Sequence, residues 1–96
     1  MFEWDLRKAL ANHGKHKISF EEAATAFADP NGMDGDDEFH SQFERRRIRI
    51  ARSITGRILF VVYTARRQNH EKETIRIISA RQASRKECAA YARLAD

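Results

Sequence analysis

The apolar residues of this chain change their spacing once, near Arg45, and that change constrains the fold more than any other feature. Before it, Leu6, Ala9 and Leu10, then Phe20, Ala23, Ala24 and Phe27, recur at the intervals of helices with one buried face. After it, Ile48, Ile50 and Ile54 alternate with Arg47 and Arg49, the two-residue period of a strand. Ile58 to Tyr63 is apolar at both parities and predicts a central strand covered on both faces, and Thr74 to Ala80 predicts a third strand. Ninety-six residues leave room for one core, so helices and strands must share it. The expectation is a single α+β domain over 1–96: two N-terminal helices, a three- to four-stranded antiparallel sheet and a C-terminal helix.

Local signals punctuate this order. Phe2-Glu3-Trp4 reads as a short edge strand, and Asp5 as the N-cap of the first helix. Asn12 and Gly14 read as its stop signals, which leaves Lys15-His16-Lys17 as a short basic segment after it. Ser19 and Glu22 have capping-box spacing, as do Ser84 and Glu87. Asp29-Pro30-Asn31-Gly32 ends the second helix, and residues 33–44 read as an acidic loop. Arg66 to Lys72 reads as a polar connection between strands. Trp4, Phe20, Phe27, Phe60 and Tyr63 are expected in the core, with Cys88 and Tyr91 on the inner face of the last helix.

Composition excludes several classes. No apolar run approaches the roughly 18 residues that cross a bilayer. The acidic, aromatic N-terminus does not read as a secretory signal, and one cysteine allows neither a disulfide framework nor a multi-cysteine zinc site. Charged residues are 33% and apolar residues 42% of the chain, as in a soluble, cytoplasmic protein.

Charge is unevenly placed. Residues 1–44 carry 4 Lys/Arg against 10 Asp/Glu, while residues 45–96 carry 14 against 4. Eight arginines and no acid lie between Arg45 and Arg67. This asymmetry suggests an anionic partner, nucleic acid first, although the two halves could also neutralise each other within the fold.

The basic constellation consists of Arg47 and Arg49 on one strand face, Arg57 and Arg66 at the two ends of the central strand, and Arg76 and Arg81 on the last strand. Guanidinium binds phosphate bidentately and stays charged, which suits an RNA or DNA backbone. Charged strands also guard sheet edges against aggregation. Ser79 and Arg81 share parity with Ile75 and Ile77, and Arg76 with Ile78, so arginines are expected on both faces. In a hairpin of 58–66 with 74–81, Arg66 and Arg81 would be roughly 20 Å apart. Arg81 would neighbour Arg57, and Arg66 would neighbour Arg76.

Lys15 and His16 form a second group, able to stabilise charge and to exchange a proton near neutral pH. A histidine after a helix also serves as a cap or lies idle on the surface, and His13, His40 and His70 carry no stronger signal. The acidic run from Asp34 to Glu38 lacks calcium-loop spacing, and no metal site or cofactor is expected.

At these residues the chain resembles a known family. Phe2-Glu3-Trp4-Asp5, Lys8, Asn12, Lys15-His16 and Ile18 to Ala23 are similar to the opening of BrnT toxins. Phe27-Ala28-Asp29-Pro30, His40-Ser41, Gly56-Arg57, Val61 to Arg66 and Ile75 to Arg81 continue the likeness in order, with Glu87 and Tyr91 behind. Two positions depart from it: Lys17 stands where the family often has glycine after Lys-His, and Ala51 where glycine often follows the Ile-x-Ile of the first strand.

The resemblance implies a RelE-like ribonuclease toxin of a type II toxin–antitoxin system, whose RNA cleavage inhibits translation. It also implies a BrnA-like antitoxin with a ribbon-helix-helix domain, through which alone the complex would meet operator DNA. Lys15, His16, Arg66, Arg76, Ser79 and Arg81 are the positions carried over to the active surface. The expected chemistry needs no metal: a 2′-hydroxyl attacks the adjacent phosphate, Lys15, Arg66 and Arg81 hold or stabilise it, and His16 transfers the proton. Arg57, Arg76, Ser79, Arg47 and Arg49 are expected to support RNA binding. The competing expectations are a non-catalytic RNA- or DNA-binding module and a subunit whose basic half only meets an acidic partner.

Overall fold

A computed structural model describes residues 1–41, 44–67 and 72–95; His70 and the middle of the 66–72 connection lie outside the described residues. The order is β1 (Phe2–Glu3), α1 (Leu6–His16), α2 (Phe20–Thr25) continued by a 3-10 turn (Ala26–Ala28), β2 (Met33–Asp36), a second 3-10 turn (Glu38–His40), β3 (Arg47–Arg52), β4 (Ile58–Arg67), β5 (Glu73–Gln82) and α3 (Arg85–Ala95). The strands form one five-stranded sheet in the order β1-β5-β4-β3-β2. β1 runs parallel to β5 and every other pair is antiparallel. The α+β class and the helix and strand order are as expected, but the sheet is wider and mixed. Among the described residues no helix is long and apolar enough to cross a membrane.

The extra strand, β2, comes from the segment expected as an acidic loop. Its aspartates are what make it a strand: Asp34 lies opposite Arg49 and Asp36 opposite Arg47. The ion pairs close at 2.7 and 3.2 Å. Opposite charges directly across a ladder offset the low strand propensity of aspartate.

α1 starts where expected, with the Asp5 carboxylate accepting from the Lys8 N–H at 3.1 Å. It then runs through both stop signals. Asn12 is only 8% exposed, and its amide group bonds to Ile18 and Ala80 rather than to its own helix. Lys15 and His16 therefore form the last turn of α1, not a segment after it. The helix ends at Lys17, which takes the left-handed conformation at φ 60°.

Ser19 caps α2 through the Glu22 N–H at 3.0 Å, but the Glu22 side chain does not reach back to it. That carboxylate instead accepts from Ser53, Thr55 and Arg57, tying the β3–β4 turn to α2. At Ser84 and Glu87 the reciprocal box is complete: Ser84 N–H donates to Glu87 Oε1 at 2.7 Å, and Glu87 N–H to Ser84 Oγ at 3.2 Å.

The core lies between the sheet and α1–α2. Ile18, Phe20, Ala23, Leu59, Val61, Ile77 and Ala80 are buried there, with Trp4, Phe27 and Ile75 packed against them. Tyr91 is buried as expected, and its hydroxyl donates to Asp29 at 2.6 Å. Cys88 is only half-buried. Ile54 does not continue β3; it sits in the β3–β4 turn, 81% exposed.

One irregularity decides what the opposite, open face displays. Between Val62 and Tyr63 the β4–β5 register slips, so Val62 faces Ser79 and Tyr63 faces Ile77. The extra residue on β5 is a bulge at Ile78, and a bulge inverts parity beyond it. Ile75, Ile77 and Ala80 consequently share the helix face, while Arg76, Ser79 and Arg81 share the open face. This corrects the expectation that Ser79 and Arg81 share a face with Ile75 and Ile77, apart from Arg76. Phe60, expected in the core, alternates onto the open face with Val62 and remains half-exposed.

Candidate nucleic-acid interface

The open face has a basic border and an apolar centre. Along β4 and β5 it presents Arg66, Arg76 and Arg81, with Arg76 opposite Thr64, Arg66 opposite Thr74 and Arg81 opposite Phe60. Arg81 is not a neighbour of Arg57. Its guanidinium lies 3.9 Å from the Phe60 ring centroid and makes a two-pronged pair with Glu87 at 2.8 and 3.0 Å. Arg81 in turn holds the Glu87 carboxyl below the ordinary carboxylate range, against the opposing effect of burial. The last strand and the cap of α3 thereby fix one cation in place. Arg66 and Arg76 have looser partners, Glu44 and Glu3, each at 3.8 Å.

The same face holds an open cleft of about 330 Å³, lined by Asp37, His40, Arg46, Ile48, Phe60, Val62 and Ser79. Ser79, carried into the candidate site by the resemblance, is on its wall. Asp37 and His40 enter from the segment 33–44 expected as an acidic loop, and Arg46 from the arginine run that leads into β3. Besides the place of His40-Ser41 in the resemblance, the three-residue spacing of Asp37 and His40 puts both on a single tight turn.

The remaining expected site residues are placed elsewhere. Arg47 and Arg49 share a face, but it is the helix face. Arg49 is an internal strut: Nε donates to Ala26 O at 3.0 Å, Nη2 to Asp29 O at 2.7 Å and Nη1 to Asp34 at 2.7 Å. It thereby adds a second donor to two carbonyls at the end of the first 3-10 turn, which also accept from the Asp29 and Gly32 N–H groups. Arg47 bonds to Tyr63 Oη and Asp36, and the Tyr63 bond is the main cause raising its pKa further above the ordinary range. Arg57 is paired with Glu22, whose carboxyl it draws down from 4.5 to about 2, helped by Ser53 and Thr55. These three arginines are committed to the fold. Lys15 and His16 close α1 beside β5 and do not line the cleft. Among the described residues no three His, Cys, Asp or Glu side chains converge as a metal site.

Comparison with known proteins agrees with this architecture. The model of a family described as the ribonuclease toxin BrnT of type II toxin–antitoxin systems matches residues 4–87. The crystal structure of the Brucella abortus ribonuclease toxin BrnT is similar at a TM-score of 0.61 and 20% identity, over 88% of this chain and 99% of that one. No curated protein sequence matches. The family match spans most of the chain and includes β4, β5 and the cleft they help to wall, and by that match the chain belongs to the BrnT family of ribonuclease toxins.

Proposed function

We propose that the chain is a metal-independent endoribonuclease whose open sheet face takes RNA, and that its activity in the cytoplasm inhibits translation until an antitoxin covers that face. The observation that carries this reading is the placement of Arg66, Arg76 and Arg81 on the one sheet face that also holds the cleft, in a member of a ribonuclease family. Arg81, oriented by Glu87 and Phe60, is the fixed phosphate anchor. Arg66 and Arg76 would exchange their loose carboxylate partners for phosphate oxygens. Thr74 and Arg81 are seven residues apart on β5, so Arg66 and Arg81 stand roughly 20 Å apart and hold different phosphates of one strand. Lys15 adds a cation at the β5 side.

RNA supplies its own nucleophile, the 2′-hydroxyl. The protein needs to orient the phosphodiester, move one proton and stabilise the charge that develops on phosphorus. The partner that silences it would be a BrnA-like antitoxin with a ribbon-helix-helix domain, and operator DNA would be met only through that complex.

Incubating the purified chain with end-labelled RNA in the presence of a chelator tests the reading. Fragments ending in 2′,3′-cyclic phosphate, with DNA of the same sequence uncut, are expected. RNA left intact at saturating protein, with and without ribosomes, overturns it. Salt-dependent retention of that intact RNA would instead favour a non-catalytic binding module.

A further inference from the structure

We propose that His40, oriented by Asp37, is the catalytic base, and that the cleft between the Glu38–His40 turn and the β3–β5 face seats the scissile phosphodiester. The inference rests on the ribonuclease reading and names the proton acceptor within it. His40 Nδ1 lies 3.1 and 3.0 Å from the two Asp37 carboxylate oxygens. An ionised carboxylate can only accept, so Nδ1 carries a proton, and in the neutral ring Nε2 is the nitrogen with the free lone pair. The pair is asymmetric in exposure: the Asp37 side chain is 12% exposed and that of His40 66%. The orienting group is sheltered and the reactive one is open to a substrate.

The turn that carries the pair is fastened to the residue just before β3. Asp37 N–H donates to Arg46 O at 2.9 Å, Ser41 Oγ donates to Asp37 O at 2.6 Å, and Arg46 N–H donates to Ser41 Oγ at 3.1 Å. The charged groups lining the cleft with His40 are Asp37 from the turn and Arg46 from the approach to β3; β3, β4 and β5 contribute Ile48, Phe60, Val62 and Ser79, none of them charged. Arg81 stacks on the Phe60 that forms part of the cleft wall, so a fixed cation stands beside the position where charge would build. His13 and His16, both on α1, line no part of it.

In the step, Nε2 takes the 2′-hydroxyl proton as the O2′–P bond forms. The P–O5′ bond breaks with its electron pair on O5′, which takes a proton from water. The imidazolium then gives its proton to the resulting hydroxide, leaving a 2′,3′-cyclic phosphate, a 5′-hydroxyl and neutral His40. Arg46 and Arg81 offset the charge on the phosphorane-like state.

The test compares single-turnover cleavage of labelled RNA by the wild-type chain, His40→Ala, Asp37→Asn and His16→Ala. His40→Ala is expected to lose about 10²- to 10⁴-fold in rate with an unchanged melting temperature, and added imidazole to restore part of it. Asp37→Asn is expected to slow cleavage at unchanged KM, because the carboxylate that accepts from Nδ1 and aims Nε2 into the cleft is gone. Cleavage by His40→Ala within threefold of wild type, or a loss that falls on His16→Ala instead, overturns the proposal. RNA left intact by the wild-type chain overturns the ribonuclease reading itself.

Discussion

Asn12 and Ala80 exchange two hydrogen bonds across 68 residues of sequence: Nδ2 donates to Ala80 O at 2.8 Å and Ala80 N–H donates to Oδ1 at 3.0 Å. β1 pairs with β5 at Ile75 and Arg76, so among the described residues the β5 edge at Ala80 has no neighbouring strand on that side. One side-chain amide stands in for it, and Nδ2 also donates to Ile18 O at 3.1 Å. The same contact brings α1 onto the strand that carries Arg76, Ser79 and Arg81. Asn12→Ala leaves a buried N–H and two carbonyls without this partner, and should cost about 2–4 kcal/mol of stability by denaturant titration. Asn12→Asp, which keeps the acceptor and loses the donor, should also destabilise the fold.

Lys17 holds φ 60°, a conformation glycine adopts without steric cost and a side chain does not. Its N–H donates to His13 O at 2.9 Å, so the backbone is held there by the end of α1. Lys17→Gly should raise stability by about 1 kcal/mol, read as a higher melting temperature. Lys17→Val should lower it.

Arg49 and Arg81 separate fold from function. Removing the Arg49 side chain strips contacts from Ala26, Asp29 and Asp34, and should destabilise the protein by about 3 kcal/mol. Gly32→Ala should act in the same direction, because a Cβ at position 32 would collide with the Arg49 guanidinium. Arg81→Ala should leave the chain folded while weakening RNA binding. Each of Arg66→Ala and Arg76→Ala should lower the slope of log affinity against log salt by about 1. Thermal melts and RNA titrations at several salt concentrations distinguish the two groups.

Glu22 should make the fold acid-sensitive. Its carboxyl is drawn down to about 2 in the folded chain from an ordinary 4.5, chiefly through the hydrogen bond from Arg57. A depressed folded pKa contributes stability that is complete above the unfolded value and is lost as pH falls from about 4.5 towards 2. The carboxylate is only 10% exposed, so the effect should reach about 3 kcal/mol. Glu22→Gln should lower stability at neutral pH and flatten its decline over that window, measured by urea unfolding at a series of pH values.

The residue pattern carried the element order, because apolar spacing and capping chemistry are local. Asp5, Ser19 and the Ser84–Glu87 pair cap helices where their spacing says they should. Local rules failed where a side chain had a distant partner. Asn12 read as a helix stop until Ala80 claimed it, and the 33–36 segment read as loop until Arg47 and Arg49 made it a strand. The arginine-rich strand read as a nucleic-acid surface, yet its Arg47 and Arg49 point toward acids on the helix side.

By itself the sequence determined an α+β chain with a basic second half, and it contained the residues of a ribonuclease family in order. Tertiary structure alone decided which cations face outward. The single bulge at Ile78 inverts the parity of β5, placing Ser79 and Arg81 on the face with Arg76. A two-residue period read along one strand cannot register that inversion, since a bulge exists only relative to the strand beside it. The Asp37–His40 pair depends on tertiary structure in the same way: its turn gains a wall only when β3, β4 and β5 are in register beneath it.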